Sequence, residues 1–218
     1  MIPLLALVLA GPARADVVLP RSVAASADAL ANRVAAASGN PYREAALAFT
    51  FVVTAEGQEK ARRKHTWCPQ AGLVEVQREA RTDRISAVDG APVGDTPPEE
   101  AKAAWGAFIN DGYWLLAPSK VMDPGVVRSL DAEGRLALAF QGVGLTPGDQ
   151  YLLEVDSASG LVRSWEYTLQ SGRTGAWSWE GWQEVGGLHL STLRVAREGD
   201  ASIRFEQVTA LPTCPLLP

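Results

Sequence analysis

The residues of this chain best suited to acid–base chemistry are its two histidines, His65 and His189, and one candidate carboxylate, Asp149. A histidine beside a carboxylate transfers protons near neutral pH, which makes a hydrolase-like enzyme one alternative. The chain contains no GxSxG nucleophile elbow, no HExxH helix and no phosphate-binding loop. Structural histidines and a turn-capping aspartate are therefore the favoured interpretation, and we expect no catalytic residue.

Cys68 and Cys214 are the two cysteines of the chain. With no CxxC pair and two histidines in all, the sequence predicts neither a metal site nor a redox cofactor site. In an oxidising compartment the two cysteines would form one disulfide that ties the C-terminal tail to an early strand, worth ~4 kcal/mol of stability. Two buried free thiols are the alternative.

Aromatic residues recur at positions that we expect to point inward, and they predict an apolar cavity. A partly closed barrel of this size can hold one apolar ligand or be filled by its own side chains. Aromatic residues also dominate cores that bind nothing, so a filled core is the alternative interpretation. The predicted ligand-binding residues are Trp67, Trp105, Phe108, Tyr113, Trp114, Leu116, Trp165, Tyr167, Trp177 and Trp179.

Charged residues within and after the apolar stretch 105–125 suggest a polar gate. Asp111, Lys120 and Asp123 lie within this stretch, and Asp149 follows in the segment 144–151. Such residues either control access to a cavity or hydrogen-bond loop backbone groups and fix their conformation. The second role is the commoner one.

The formal net charge is -5, with a pI near 5.1, which argues against a nucleic-acid partner because phosphate contacts need a basic surface. One basic cluster is present, formed by Lys60, Arg62, Arg63 and Lys64. We interpret it as a solvated edge strand that resists edge-to-edge association. The sharper alternative is a docking patch for an acidic partner or a lipid headgroup.

The N-terminal residues 1–10 are apolar but too short to span a bilayer, which takes roughly 20 residues. They are followed by Ala13, Arg14 and Ala15, a small-x-small cleavage pattern. The sequence thus predicts a signal peptide over residues 1–15 and a mature chain, residues 16–218, that is periplasmic or secreted. A buried N-terminal strand or helix is the alternative. Since no cysteine follows the apolar run, we expect no lipid anchor and no transmembrane segment in the mature chain.

Two helices are predicted to position these residues. The first covers residues 21–38, where Ala27, Leu30 and Val34 form one apolar stripe and Gly39 ends the helix. The second starts at a Thr96 cap with Pro97 at the first helical position and runs to about Ile109, where residues 110–112 form a turn. Together with residues 113–118 it would form a helical plug around 97–118.

The rest of the chain reads as strands with period-two alternation. Breaks at glycine-rich turns separate strands over residues 47–53, 59–68, 73–79, 83–88, 126–130, 135–140, 150–155, 161–169, 176–185, 188–197 and 202–211. Gly181 shifts the alternation within the strand 176–185 and predicts a bulge or bend. About ten antiparallel strands are too many to stay flat, so we predict a mainly β, single domain with a strongly curved sheet or incomplete barrel.

Several segments resemble a bacterial family of exported proteins of uncharacterised function. They are residues 110–120 (NDGYWLLAPSK), 123–126 (DPGV) and 144–151 (GLTPGDQY), with His65 and Trp67 upstream and Trp182 and Gly186 downstream in matching order. This resemblance implies the fold of the LolA/LolB-like superfamily, which contains the periplasmic lipoprotein carrier. In that fold, helices cover the concave apolar face of a curved antiparallel sheet. Cys68 departs from the pattern, which has a polar residue there.

The favoured function is an exported binding or carrier protein that holds a hydrophobic ligand, such as a lipid, an acyl chain or a lipidated partner. One alternative is an enzyme that uses histidine and aspartate groups at the cavity mouth. The other is a structural protein of the cell envelope that binds a protein partner through a sheet edge. A long dry groove, converging polar groups or a flat exposed edge would distinguish the three.

Overall fold

A computed structural model describes residues 21–143 and 145–217, and the predicted signal peptide lies outside them. The helices are α1 (Arg21–Ser38) and α2 (Pro98–Leu116), with short 3-10 turns at Pro41–Arg43 and Ala117–Lys120. The strands of this described part are β1 (Ala46–Ala55), β2 (Gln58–Cys68), β3 (Leu73–Arg78), β4 (Arg81–Ser86), β5 (Val126–Leu130), β6 (Leu136–Phe140), β7 (Gln150–Val155), β8 (Val162–Thr168), β9 (Thr174–Ser178), β10 (Glu180–Val185), β11 (Leu188–Val195) and β12 (Ser202–Leu211).

The strands form two antiparallel sheets, neither of which closes into a barrel. The larger has the order β10-β11-β12-β1-β2-β3-β4, and the smaller runs in sequence order from β5 to β9. The predicted class, mainly β with helices on an antiparallel sheet, is confirmed. The division into two sheets differs from the prediction, because the segment 176–185 is not one strand. The chain leaves the small sheet at Ser178 and joins the large one at Glu180, next to the bend predicted at Gly181.

Each helix covers one sheet. Buried side chains of α2, among them Ala101, Phe108 and Leu115, pack in the cluster that also contains the inward residues of the seven-stranded sheet. Small residues of α1, Ala27 and Ala31, pack instead against the five-stranded sheet. Their short side chains let the helix lie close to the strands, and burying such apolar surface stabilises by roughly 25 cal/mol per Å².

Helix α2 extends to Leu116, about two turns beyond the predicted end at Ile109. It continues through Asn110, Asp111 and Gly112 to Leu116, so the predicted turn at residues 110–112 is wrong. The physical reason is tertiary: Asp111 is fully buried and held by Arg63 and His65 of β2, so its carboxylate does not compete for local backbone amides. At the start, Pro98 rather than Pro97 is the first helical residue, and the Thr96 hydroxyl accepts a hydrogen bond from the Arg84 amide instead of capping α2.

Strand β2, which carries the basic cluster, lies between β1 and β3. The interpretation of this strand as a sheet edge is therefore wrong. The side chains of Lys60, Arg62 and Lys64 are nevertheless exposed, because they lie on the outer face of the sheet. At its end, Cys68 forms a disulfide with Cys214, with Cα atoms 5.6 Å apart.

Candidate functional site

An apolar groove runs along one face of α2 and consists of two lobes. One lobe is lined by Arg173 and has a volume of about 270 Å³; we call it the Arg173 lobe. The other is lined by Lys120 and has a volume of about 280 Å³; we call it the Lys120 lobe. Four side chains line both lobes and so form the wall where they meet: Ile109, Tyr113, Phe140 and Val143. Each lobe alone is slightly smaller than a common ligand pocket of ~300 to 1,000 Å³, whereas the two together fall within that range.

Helical spacing brings the α2 side of the groove together. Ile109, Gly112, Tyr113 and Leu116 recur at intervals of three, one and three residues, which places them on one face of the helix. Gly112 is part of the Lys120 lobe, and a Cβ atom built on it meets nothing nearer than the Phe108 ring, at 3.8 Å. The missing side chain therefore leaves open space on this face.

The inner face of the five-stranded sheet supplies the opposite wall. Tyr151 of β7 pairs with Tyr167 of β8, and their rings lie 6.2 Å apart. Tyr167 in turn pairs with Gly175 of β9, where an added Cβ atom would lie 2.5 Å from the tyrosine ring. A glycine is needed at position 175 because the ring of Tyr167 occupies the space of its side chain.

A second glycine fixes the loop that forms the outer wall. Gly125 has a φ of 82°, a left-handed conformation that side chains disfavour, and an added Cβ atom would lie 2.5 Å from Val143. The Gln141 amide donates to the Gly125 carbonyl at 2.8 Å. These contacts hold Val143 over the junction of the two lobes.

Some of the ten predicted ligand-binding residues line the groove, and the others lie in the hydrophobic cores. Those that line the groove are Trp67, Phe108, Tyr113, Trp114, Leu116 and Tyr167. Trp165 and Trp179 are buried in the core of the five-stranded sheet, where their rings make an edge contact at 5.0 Å. Trp105 fills the space above Gly90, and Trp177 packs between the two cores. Both sequence interpretations thus describe part of the set.

Lys120 and Asp123, two of the predicted gate residues, line the Lys120 lobe with Tyr42. The Lys120 ammonium lies 2.6 Å from the Asp123 carboxylate and also contacts the Tyr42 hydroxyl, which donates to Asp123 at 3.1 Å. Burial alone would lower the pKa of Lys120, but the charges and hydrogen bonds of Asp123 and Tyr42 together outweigh burial and raise that pKa above its ordinary value. The charges of Lys120 and Asp123 therefore neutralise each other at the mouth of the lobe.

Asp149 lies in the Arg173 lobe, and its carboxylate is already engaged. One oxygen accepts from the Thr146 hydroxyl at 2.6 Å and the other from the Gln170 amide at 2.8 Å. This is the turn-capping role that the sequence favoured. Neither histidine contacts it: His189 bonds the Ala37 carbonyl and Glu184 on the surface.

Asp111, the fourth predicted gate residue, is buried away from both lobes. Arg63 donates to its two oxygens at 2.6 and 2.7 Å, and His65 lies 2.8 Å from one of them. Burial would raise the pKa of Asp111, but hydrogen bonds from His65 and Arg63 prevail and hold it below the usual value. This cluster is closed to solvent on the histidine side, so it does not form a catalytic pair at a cavity mouth.

Several residues that line the groove were not predicted from the sequence, among them Tyr42, Phe140, Val143 and Arg173. Phe140 carried a usable signal, because it follows Leu136 and Leu138 at alternate positions of β6 and therefore shares their inward face. The other three lie in turns or loops, where sequence periodicity gives no direction for a side chain.

A larger depression, of about 880 Å³, lies beside β2 and is polar. It contains the basic cluster, but most of these cations have partners: Lys60 pairs with Glu56, Arg62 with Glu59 and Glu206, and Arg63 with Asp111. Because these cations are already paired with carboxylates, the cluster attracts an acidic docking partner less strongly.

In residues 21–143 and 145–217, no group of three or more histidine, cysteine, aspartate or glutamate residues is arranged to hold a metal ion. None of the helices described there combines the length and the apolar character needed to cross a membrane.

No family model and no curated protein matches the chain. Among solved structures, a LolA superfamily protein from Nitrosomonas europaea matches 88% of this chain and 94% of its own, with 12% identity and a TM-score of 0.48. A DUF1329 family protein from Desulfovibrio piger matches 86% and 92%, with 12% identity and a TM-score of 0.46. LolA-superfamily structures are thus among those to which this chain is similar. The likeness is one of fold, and the function of this chain is inferred from its own residues.

Proposed function

We propose that this protein is an exported binding or carrier protein that holds a hydrophobic ligand in the groove along α2. The ligand would be a lipid, an acyl chain or a lipidated partner. The single observation that carries this proposal is the pair of open lobes that meet at Tyr113 and Phe140. Export to the periplasm or the medium, which the proposal couples to cleavage near Ala15, is supported by the disulfide, because such bonds persist in oxidising compartments.

The groove suits an apolar ligand because aromatic and aliphatic side chains form most of its walls. In the Lys120 lobe these include Trp67, Phe108 and Leu116. Removing the apolar surface of a ligand from water is favourable by roughly 25 cal/mol per Å², and a concave site makes this gain largest. The polar residues at the mouth hold one another and so need no partner from the ligand.

The two alternative functions lack a supporting observation. An enzyme needs its acid and base to converge, but His65 is enclosed with Asp111, and Asp149 bonds Thr146 and Gln170. A partner that adds a strand needs an open edge, but β4 is covered by residues 91–93 through the Ser86 amide at 2.8 Å and the Val93 amide at 3.0 Å. The other edge strand of that sheet, β10, carries exposed glutamates, which oppose such pairing.

The test is to fill the Lys120 lobe without disturbing the fold. In the variant Gly112→Leu, the new side chain would project into the lobe, and helix propensity would favour the change by up to about 1 kcal/mol. We expect the affinity for N-phenyl-1-naphthylamine, an uncharged dye that fluoresces in apolar sites, to fall about tenfold. Mass spectrometry of an organic extract from the wild-type protein should also show a co-purified hydrophobe.

The matched control is Gly106→Leu in the same helix. Gly106 lines neither lobe, and an added Cβ atom there meets nothing within 4 Å. This variant should bind the dye like the wild type. Equal affinity of the two leucine variants, or no dye uptake by the wild-type protein, would show that the groove is not a binding site.

A further inference from the structure

We infer that the ligand is a single-chain amphiphile with an anionic headgroup, whose head lies in the Arg173 lobe and whose tail extends into the Lys120 lobe. This inference rests on the proposed function and adds the chemistry and the direction of the ligand. It follows from a difference in the polar groups of the two lobes.

The cations of the two lobes differ in what they contact. Lys120 is held by Asp123 and Tyr42. Arg173 is the one lysine or arginine that lines the other lobe, and its guanidinium forms no ion pair with any residue of the described chain. The Leu169 amide donates to the Arg173 carbonyl at 2.8 Å, so the β8–β9 turn fixes the backbone while the side chain remains exposed.

Tyrosine hydroxyls add a second set of donors in the Arg173 lobe. Tyr113, Tyr151 and Tyr167 all line it, with ring centroids 5.2 Å apart for the first two and 6.2 Å for the last two. Within residues 21–143 and 145–217, none of their hydroxyls has a hydrogen-bond partner. These side chains are half-buried, so their hydroxyls can donate hydrogen bonds to a polar group of a ligand in this lobe.

The headgroup is an anion because Arg173, the one cation among the described residues that line this lobe, carries a positive charge and only donates hydrogen bonds. A guanidinium binds a carboxylate or phosphate through two parallel hydrogen bonds, and tyrosine hydroxyls can complete the remaining oxygens. Asp149 is the opposing charge in this lobe, but both of its oxygens already accept hydrogen bonds from Thr146 and Gln170. Its charge reduces the preference for an anion without providing a free acceptor for a cationic head.

The tail direction follows from the shared wall. Tyr113 and Phe140 line both lobes, and their rings are in edge contact with centroids 5.8 Å apart, so a chain that leaves the headgroup lies across these rings to reach the Lys120 lobe. There Trp67, Phe108 and Leu116 surround it with apolar surface. A narrow groove of this volume suits one chain rather than the paired chains of a phospholipid.

The experiment compares ligands that share a sixteen-carbon chain and differ at the head: hexadecanol, hexadecanoate and hexadecyl phosphate. Each displaces N-phenyl-1-naphthylamine from the wild-type protein at pH 8, where the carboxylate is ionised. A charge-assisted hydrogen bond strengthens binding roughly tenfold more than a neutral one does. We therefore expect the affinity for both anions to be about tenfold higher than that for hexadecanol. The tighter of the two anions then identifies the headgroup.

Variants assign this preference to named residues. Arg173→Gln should lower the affinity for both anions about tenfold and the affinity for hexadecanol much less, so that the preference disappears, and Arg173→Lys should restore part of it. A Tyr151→Phe and Tyr167→Phe double variant, which keeps the apolar wall, should weaken the anions more than the alcohol. The control is Lys64→Gln, an exposed cation beside the polar depression of β2, which should have no effect.

The remaining outcomes would contradict either the headgroup inference or the proposed function. If wild type binds all three ligands equally, or if Lys64→Gln rather than Arg173→Gln removes the preference, the headgroup inference is wrong while the apolar groove still stands as a site. If none of the three displaces the dye, the proposed function fails as well.

Discussion

At the scale of single residues, the buried carboxylate of Asp111 shows most clearly how a charge is tolerated in this core. Its side chain is 0% exposed, whereas the side chain of its partner Arg63 is 26% exposed. The arginine therefore keeps part of its hydration while it donates twice to the aspartate, and His65 supplies a third contact. Desolvation of the carboxylate is offset by these hydrogen bonds, as its lowered pKa indicates.

Removing this carboxylate should destabilise the protein strongly. Asp111→Asn leaves Arg63 and His65 without their common acceptor, and breaking a buried pair costs about 3 to 5 kcal/mol. We expect that loss at pH 7 in urea unfolding. Because the folded pKa of Asp111 lies below its unfolded value, its contribution is complete above about pH 4 to 5 and is lost as pH falls through the folded pKa.

The pH dependence separates this role from a general effect of the substitution. The difference between wild type and Asp111→Asn should shrink when unfolding is measured at progressively lower pH. Asp95→Asn, at an exposed aspartate, is the control and should match the wild type at every pH. A constant difference down to pH 2 would contradict a stabilising role for the ionised carboxylate.

Residue identity alone located part of the site. Phe108, Tyr113 and Trp114 were predicted because they belong to one dense apolar stretch, and all three line the groove. Asp111 belongs to the same stretch, yet its partners come from β2, 46 and 48 residues away, and no local pattern reveals them. Arg173 was missed for the same reason, since its relation to Tyr167 depends on the β8–β9 turn.

At the scale of elements, the disulfide links the end of β2 to the tail that follows β12. Cys68 and Cys214 are separated by 146 residues, and Cys68 packs with Ala46 and Leu216 in a small separate cluster. Closing so long a loop restricts the unfolded chain more than the folded one. The tail is thereby held against β1 and β2 without a strand of its own.

Removing this bond should cost about 4 kcal/mol, because the entropy of the unfolded chain increases with the length of the loop released. The change is a double variant, Cys68→Ala and Cys214→Ala, measured by denaturant unfolding. A reducing agent should lower the stability of the wild type to a similar level and leave the double variant unchanged. If the reducing agent affects both proteins equally, the stabilisation does not come from the bond.

Strand positions were largely predictable, because period-two alternation marks the face of each strand. Predicted and observed bounds of the strand at Ser202–Leu211 agree, and those of Leu188–Val195 differ by two residues at one end. The end of α2 was not predictable, since the turn signal at Asn110–Gly112 is overridden by contacts with β2. Likewise, the change of sheet at Trp179 depends on pairing between distant strands, which the sequence pattern does not contain.

At the scale of the whole molecule, one helix end connects the two sheets. Trp114 packs against both hydrophobic cores, and its carbonyl accepts a hydrogen bond of 2.7 Å from Arg194 of β11. The Arg194 guanidinium also lies 3.4 Å from the ring centre of Trp179, in the core of the small sheet. The Arg197 amide adds a direct link to the Ala176 carbonyl at 2.8 Å. The groove lies beside this junction, so its shape depends on both sheets.

We therefore expect the two sheets to unfold as one cooperative unit, as the predicted single domain over residues 16–218 requires. Val76 in β3 and Val162 in β8 are both fully buried, one in each core, which provides a matched pair. Val76→Ala and Val162→Ala each remove two methyl groups and should each cost about 2 kcal/mol. The measurement is hydrogen exchange of the slowest backbone amides in both sheets under native conditions.

In a cooperative molecule, each substitution lowers the protection of the slowest amides in both sheets by the same factor, since these amides exchange through global unfolding. If Val162→Ala instead accelerated exchange in β5 to β9 alone, the sheets would be separate units joined by a hinge. The groove would then open by movement between them. Equal loss in both sheets would mean that the sheets unfold as one unit, and that the groove between α2 and the five-stranded sheet is part of that unit.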